Sequence, residues 1–82
     1  MDVMTNLRNQ IDTIDDQIME LLNKRYDIAL EIGIQKALTN NSILDQNRET
    51  IILEKASKYS HSPQIKVVYE TIMSESRSLQ RK

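Results

Sequence analysis

Eighty-two residues with no Cys, one His, one Gly and one Pro make one domain in which disulfides and thiolate zinc sites are excluded, a His-built metal site is disfavoured, and tight hairpin turns have almost no material. Eleven basic against twelve acidic side chains leave a formal net charge of −1, so nothing electrostatic argues for binding nucleic acid or an anionic membrane. No stretch approaches the ~18 apolar residues of a bilayer span, and the start lacks the basic and apolar pattern of a signal peptide; the expectation is an all-α, cytoplasmic chain forming one domain over residues 1–82.

Residues 1–4 are expected to fray, with Thr5 as the N-cap of a first helix that reaches about Leu38. Leu7, Ile11, Ile14, Ile18, Leu21, Leu22, Ala29 and Ile32 recur at spacings of three and four and form one apolar stripe. Asn9, Thr13, Asp16, Glu20, Asn23, Asp27 and Glu31 take the opposite side. Roughly 34 residues make a helix of ~50 Å, whereas a compact chain of this size is roughly 30 Å across. One copy cannot cover such a helix, and the simplest remedy is a dimer in which two stripes shield each other. Arg25 and Lys36 break the pattern. At about 100° per residue they project into the middle of the stripe, about 16 Å apart and on the same side. A cation turned toward a core is costly unless an anion meets it, which points to an anionic ligand. Gly33 lies near the stripe's edge; it either weakens the helix modestly or admits the close approach of another backbone or a ligand.

Thr39 to Ser42 break the pattern, and Ser42 with Asp45 resembles a capping box that starts a second helix from about Ile43 to Lys58. Its apolar arc holds Leu44, Ile51, Ile52, Ala56 and Tyr59, with Arg48 at the centre, Asp45 inside and Glu49 at the border. After a short connection, Ser62 as N-cap and Pro63 at the first helical position start a third helix that runs to about Gln80. Ile65, Val68, Tyr69, Ile72 and Leu79 make its stripe, Ser76 lies within it and Gln80 on its flank, while Lys66, Glu70, Ser74, Arg77 and Arg81 are expected to point outward.

All three helices therefore carry polar groups on their inward faces. Taken singly, each has an ordinary explanation. Arg8 can pair with Asp12 one turn on; Arg25 and Lys36 can snorkel along the apolar face; Asp45, Arg48 and Glu49 can form a cluster within one helix. Ser76 can be a small packing residue, and Gln80, followed only by Arg81 and Lys82, a fraying terminus. Taken together, they line a core with cations, hydrogen-bonding groups and a carboxylate, which suits a small ligand with anionic groups and a hydroxyl. There is no Ser/His pair, metal cluster or Gly-rich phosphate loop, so an enzyme built on this set works by positioning and electrostatics. Arg8 and Arg25 are about 25 Å apart along one helix. They can hold one small molecule only if Arg8 comes from a partner chain.

The stretches Leu7-Arg8-Asn9-Gln10-Ile11-Asp12, Leu22-Asn23-Lys24-Arg25, Ile32-Gly33-Ile34-Gln35-Lys36, Asp45-Gln46-Asn47-Arg48-Glu49 and Ser76-Arg77-Ser78-Leu79-Gln80 stand in an order and spacing that resembles the all-helical class of chorismate mutase, from Leu7 to Gln80. The resemblance implies three helices per chain in an intertwined homodimer with two equivalent sites. It implies a cofactor-free Claisen rearrangement of chorismate to prephenate, on the route to phenylalanine and tyrosine, by a monofunctional chain. Arg25, and Arg8 from the other chain, would clamp the two carboxylates. Lys36 and Gln80 would donate to the ether oxygen, and Glu49, helped by the region around Asp45, would accept from the ring hydroxyl. Ser76 would contact a carboxylate, and Arg48 would organise the site electrostatically.

Two rivals have distinct signatures. An isochorismate–pyruvate lyase is similar in architecture and cationic pocket, but keeps the Asp45-to-Glu49 pattern only in part. A non-catalytic helical dimerisation module has no need of inward Arg25, Lys36 and Arg48, which would only destabilise it.

Overall fold

The computed structural model describes residues 2–81. Three helices account for almost all of them: α1 Val3–Thr39, α2 Gln46–Ala56 and α3 Ser62–Gln80. The first helix starts earlier than expected. Asp2, not Thr5, is its N-cap, and the Asp2 carboxylate accepts the Thr5 backbone N–H at 2.6 Å. An aspartate immediately before the helix reaches the N3 amide as well as any threonine does, so Val3 and Met4 are helical rather than frayed. That same Thr5 amide, with a smaller contribution from its side chain, holds the Asp2 carboxyl below its ordinary value. Met1, part of the fraying expectation, lies outside the described residues, as does Lys82. At the other end Asn40 adopts a left-handed conformation (φ 59°), which turns the Asn41 N–H back to the Lys36 carbonyl at 2.9 Å.

The second helix starts later and ends sooner than its apolar pattern implies. Asp45 caps it by accepting the Arg48 N–H at 3.0 Å, so Ile43 and Leu44 belong to the preceding loop. Ser42 caps nothing; its hydroxyl donates to the Leu44 carbonyl at 3.2 Å. After Ala56 the chain folds into tight turns in which Tyr59 N–H reaches the Ala56 carbonyl and Ser62 N–H the Tyr59 carbonyl, each at 3.1 Å. The third helix then begins one residue before Pro63, with His61 rather than Ser62 at the cap position and no side-chain cap bond. Pro63 fits there because the first-turn amides have no partner within the helix.

The protomer measures 56 × 24 × 14 Å. Its length is that of α1, 37 residues or about 55 Å at 1.5 Å per residue. α3 packs against both other helices, whereas α1 and α2 do not pack on each other. α3 runs parallel to α1: its start, Gln64 and Ile65, lies beside Ile18 and Leu21, and its end, Gln80, beside Gly33. α2 runs back between these levels, with Glu49 beside Arg77 and Ala56 near Tyr69. A helix with two neighbours needs a wider apolar face than one stripe. This explains why Met73, outside the expected stripe, is among the few fully enclosed residues, with Ala29, Gly33, Ala56, Ile72 and Ser76.

Gly33 is where α1 and α3 come closest. A β-carbon there would lie 2.7 Å from the Gln80 Cα and 2.9 Å from its carbonyl oxygen. Of the two readings open from the sequence, close backbone approach is the one realised. Gly→Ala in an exposed helix raises stability by up to about 1 kcal/mol. Here the sign should reverse: Gly33→Ala is expected to lower stability by about 1–2 kcal/mol because backbone, not a flexible side-chain tip, must move. Urea unfolding checks this, and a stabilised variant would refute the contact.

The start of α1, before Ile18, projects away from the other two helices, and the apolar stripe stays largely uncovered as far as Leu21. Leu7, Ile11, Ile14, Ile18 and Leu21 remain 48–64% exposed. Below Ile18, about 22 Å of helix projects beyond the start of α3.

Candidate active site

A cleft of about 400 Å³ opens where the three helices meet, lined by apolar side chains of α1, α2 and α3 and by Arg25, Lys36, Asp45, Arg48, Glu49, Ser76, Arg77 and Gln80. That size suits a small metabolite. Seven of the eight residues expected at the site thus surround one space; Arg8 does not.

Arg25 is half-buried on α1. Its Nη1 donates to the Ser76 Oγ at 2.7 Å, and its guanidinium stands 5.9 Å from the centre of the Tyr69 ring. Ser76 donates its one hydroxyl proton to the Ile72 carbonyl at 2.8 Å and is 6% exposed. A hydroxyl has a single proton, so as placed Ser76 holds Arg25 by accepting from it. It could meet a carboxylate only by turning away from Ile72. Arg25 keeps its remaining N–H groups for the cleft.

Lys36, three turns further along α1, is also half-buried. Its Nζ donates to the Ile43 carbonyl at 2.7 Å and to Gln80 Oε1 at 3.2 Å. An ammonium has three protons, so one is left. Because the Gln80 oxygen faces Lys36, the Gln80 amide N–H₂ is the group free for the cleft. Gln80 is ordered in the last turn of α3 and half-buried, not a frayed terminus. Gly33 is what lets that turn come within reach of Lys36.

Glu49 and Arg77 form the opposite wall. Arg77 Nη1 lies 2.6 Å from one Glu49 carboxylate oxygen and 2.5 Å from the other, and both side chains are about a quarter exposed. The sequence pattern placed Arg77 outward; the structure turns it into the cleft. The reason is the second face of α3: Arg77 follows Met73 by four residues, on the side that meets α2. The available signal was the apolar Met73 one turn before it. Asp45 and Arg48 sit at the exposed mouth, and Asp45 is committed to capping α2 through the Arg48 amide. Arg48 and Arg25 also border a neighbouring cleft that holds Lys55 and Lys58. Arg8 is exposed on the projecting half of α1, about 25 Å along the helix from Arg25.

The chain that builds this cleft has counterparts among known proteins. The family described as chorismate mutase type II matches residues 7–81. The chain belongs to that family. It is 36% identical, over its whole length, to a bifunctional chorismate mutase/prephenate dehydratase of Aquifex aeolicus, of which it covers 25%. It is 35% identical over 60% of its length to the Escherichia coli enzyme of the same description, of which it covers 13%. The chain thus spans about a quarter or less of these relatives. Among solved structures it is similar to a conserved hypothetical protein from Pyrococcus furiosus, with a TM-score of 0.86 and 35% identity, over 98% of this chain and 97% of the other. The all-helical, three-helix architecture expected from the sequence is the one found.

Proposed function

We propose that the chain is a chorismate mutase that works as an intertwined homodimer with two equivalent sites, each domain comprising residues 1–82. Chorismate carries two carboxylates, a ring hydroxyl and an enolpyruvyl ether. In the rearrangement the ether carbon–oxygen bond breaks as a carbon–carbon bond forms between the enolpyruvyl methylene and the ring. The product is an isomer, so nothing has to be supplied or removed, and the protein's task is to select the reactive shape and stabilise the charge that grows on oxygen.

The observation that carries this reading is the pairing of Lys36 with Gln80 in the same cleft as Arg25. Arg25 and the partner's Arg8 would clamp the two carboxylates, selecting the conformer in which the side chain lies over the ring. The third Lys36 proton and the Gln80 amide would then meet the ether oxygen, whose negative charge exists mainly in the transition state. Glu49 would accept the ring hydroxyl. Arg48 would add positive potential at the mouth, with Asp45 fixing the start of the helix that bears both. Ser76 would orient Arg25 and reach a carboxylate if its hydroxyl turns.

The dimer reading rests on the uncovered half of α1. Five large apolar side chains at alternating spacings of four and three form the kind of seam that a second helix covers. Each is worth about 1.5–3 kcal/mol when fully buried. The groove between Ile18, Leu21, Ile65 and Val68 continues that seam and would receive the partner's α1, bringing Arg8 to the cleft. The compartment we infer is the cytoplasm; no helix among the described residues is long and apolar enough to cross a membrane.

Following the ultraviolet absorbance of chorismate and, in parallel, of isochorismate tests the reading. Conversion of chorismate to prephenate is expected. Release of pyruvate from isochorismate instead would replace the mutase with a lyase, and inertness toward both would leave a dimerisation module.

A further inference from the structure

Arg77 is the one charged cleft residue that the proposed reaction leaves without a task. We propose that it is a positioning residue: it keeps the Glu49 carboxylate aimed at the substrate's ring hydroxyl and away from the cations that hold the substrate's carboxylates. This rests on the mutase reading above.

The geometry is direct. A single Arg77 nitrogen bridges both Glu49 oxygens, at 2.6 and 2.5 Å, and both side chains line the substrate cleft. A carboxylate accepts about four hydrogen bonds. Arg77 occupies one site on each oxygen, which leaves acceptor capacity for a hydroxyl and fixes the direction in which it points. Without that tie, Glu49 has three rotatable bonds and shares the cleft with Arg25, Lys36 and Arg48. It is then a tethered rival of the substrate's carboxylates, present at high effective concentration. Arg77 also sets the charge of the site. With it, the cleft has four cations and two carboxylates, an excess of two that matches a dianion; without it the excess is halved.

A strap that merely joins α2 to α3 would be felt in stability. A positioning role predicts a split between kinetic constants that depends on Glu49. In the full-length chain, Arg77→Met should raise KM for chorismate about tenfold while kcat changes less than about threefold, because a competing carboxylate weakens binding more than it alters the chemical step. Arg77→Lys should recover most of the loss, since one nitrogen makes the contact and an ammonium supplies one. In a Glu49→Gln background, where a neutral amide does not compete for the cations, Arg77→Met should cost less than about threefold in kcat/KM. Circular dichroism and size-exclusion chromatography confirm folding, and Arg77→Gln serves if the Met variant is unfolded. An unchanged KM, or an equal loss in both backgrounds, would overturn the proposal while leaving the mutase reading intact. A parent chain inert toward chorismate would overturn both.

Discussion

Lys36→Ala is expected to lower kcat for chorismate by about 10²-fold or more, with a much smaller change in KM. The asymmetry follows from where the charge is. In the ground state the ether oxygen is a weak acceptor. In the transition state it carries much of the electron density released by the breaking bond, so the third Lys36 proton contributes mainly there. Neither of the other two protons can be spared, because they anchor the side chain to the Ile43 carbonyl and to Gln80. Lys36→Arg should be poor as well. A planar guanidinium cannot direct protons to the Ile43 carbonyl, the Gln80 oxygen and a third point from one nitrogen. Stopped or steady-state rates over a range of chorismate concentrations separate kcat from KM, and a variant with unchanged kcat would remove Lys36 from the chemical step.

The second large effect concerns Arg8. Arg8→Ala and Lys36→Ala homodimers should each be nearly inactive. When the two chains are unfolded together and refolded, half of the dimers should contain one chain of each kind. In such a dimer one site combines the Lys36 of one chain with the Arg8 of the other and is intact, while its twin lacks both. Recovered activity should therefore approach about one quarter of that of the unaltered protein at equal chain concentration, the value for random pairing in a two-fold dimer with sites shared across the interface. No recovery would mean that Arg8 and Lys36 act in the same copy, and an Arg8→Ala homodimer that keeps its activity would mean that Arg8 is idle. The experiment matters because a single protomer leaves Arg8 exposed, far from the cleft.

Much of this site was legible before any coordinates, and for one physical reason. Helical periodicity converts spacing into direction, so Arg25 and Lys36 could be read as facing inward without knowledge of what they face. The seven residues that the cleft collects were all marked by being polar on an apolar side. Arg77 escaped for the complementary reason. Periodicity was used to assign one inward face per helix, and α3, between two neighbours, has two. Helix ends were misplaced where an aspartate competed with a better-known cap. Asp2 and Asp45 reach the third amide and so set the starts of α1 and α2, while Thr5 and Ser42 carry the more familiar sequence signature.

The chain's one-dimensional pattern was sufficient for the class of fold, the number of helices and the sign of the charge turned inward, because each of these depends on residues within a few turns of one another. Only the packed structure could decide that Gly33 admits the backbone of Gln80, that Ser76 is bound to Arg25, and that Arg77 belongs to Glu49. Those contacts join residues 28 to 51 positions apart along the chain. Their partners are selected by how helices stack against each other, which no local periodicity encodes.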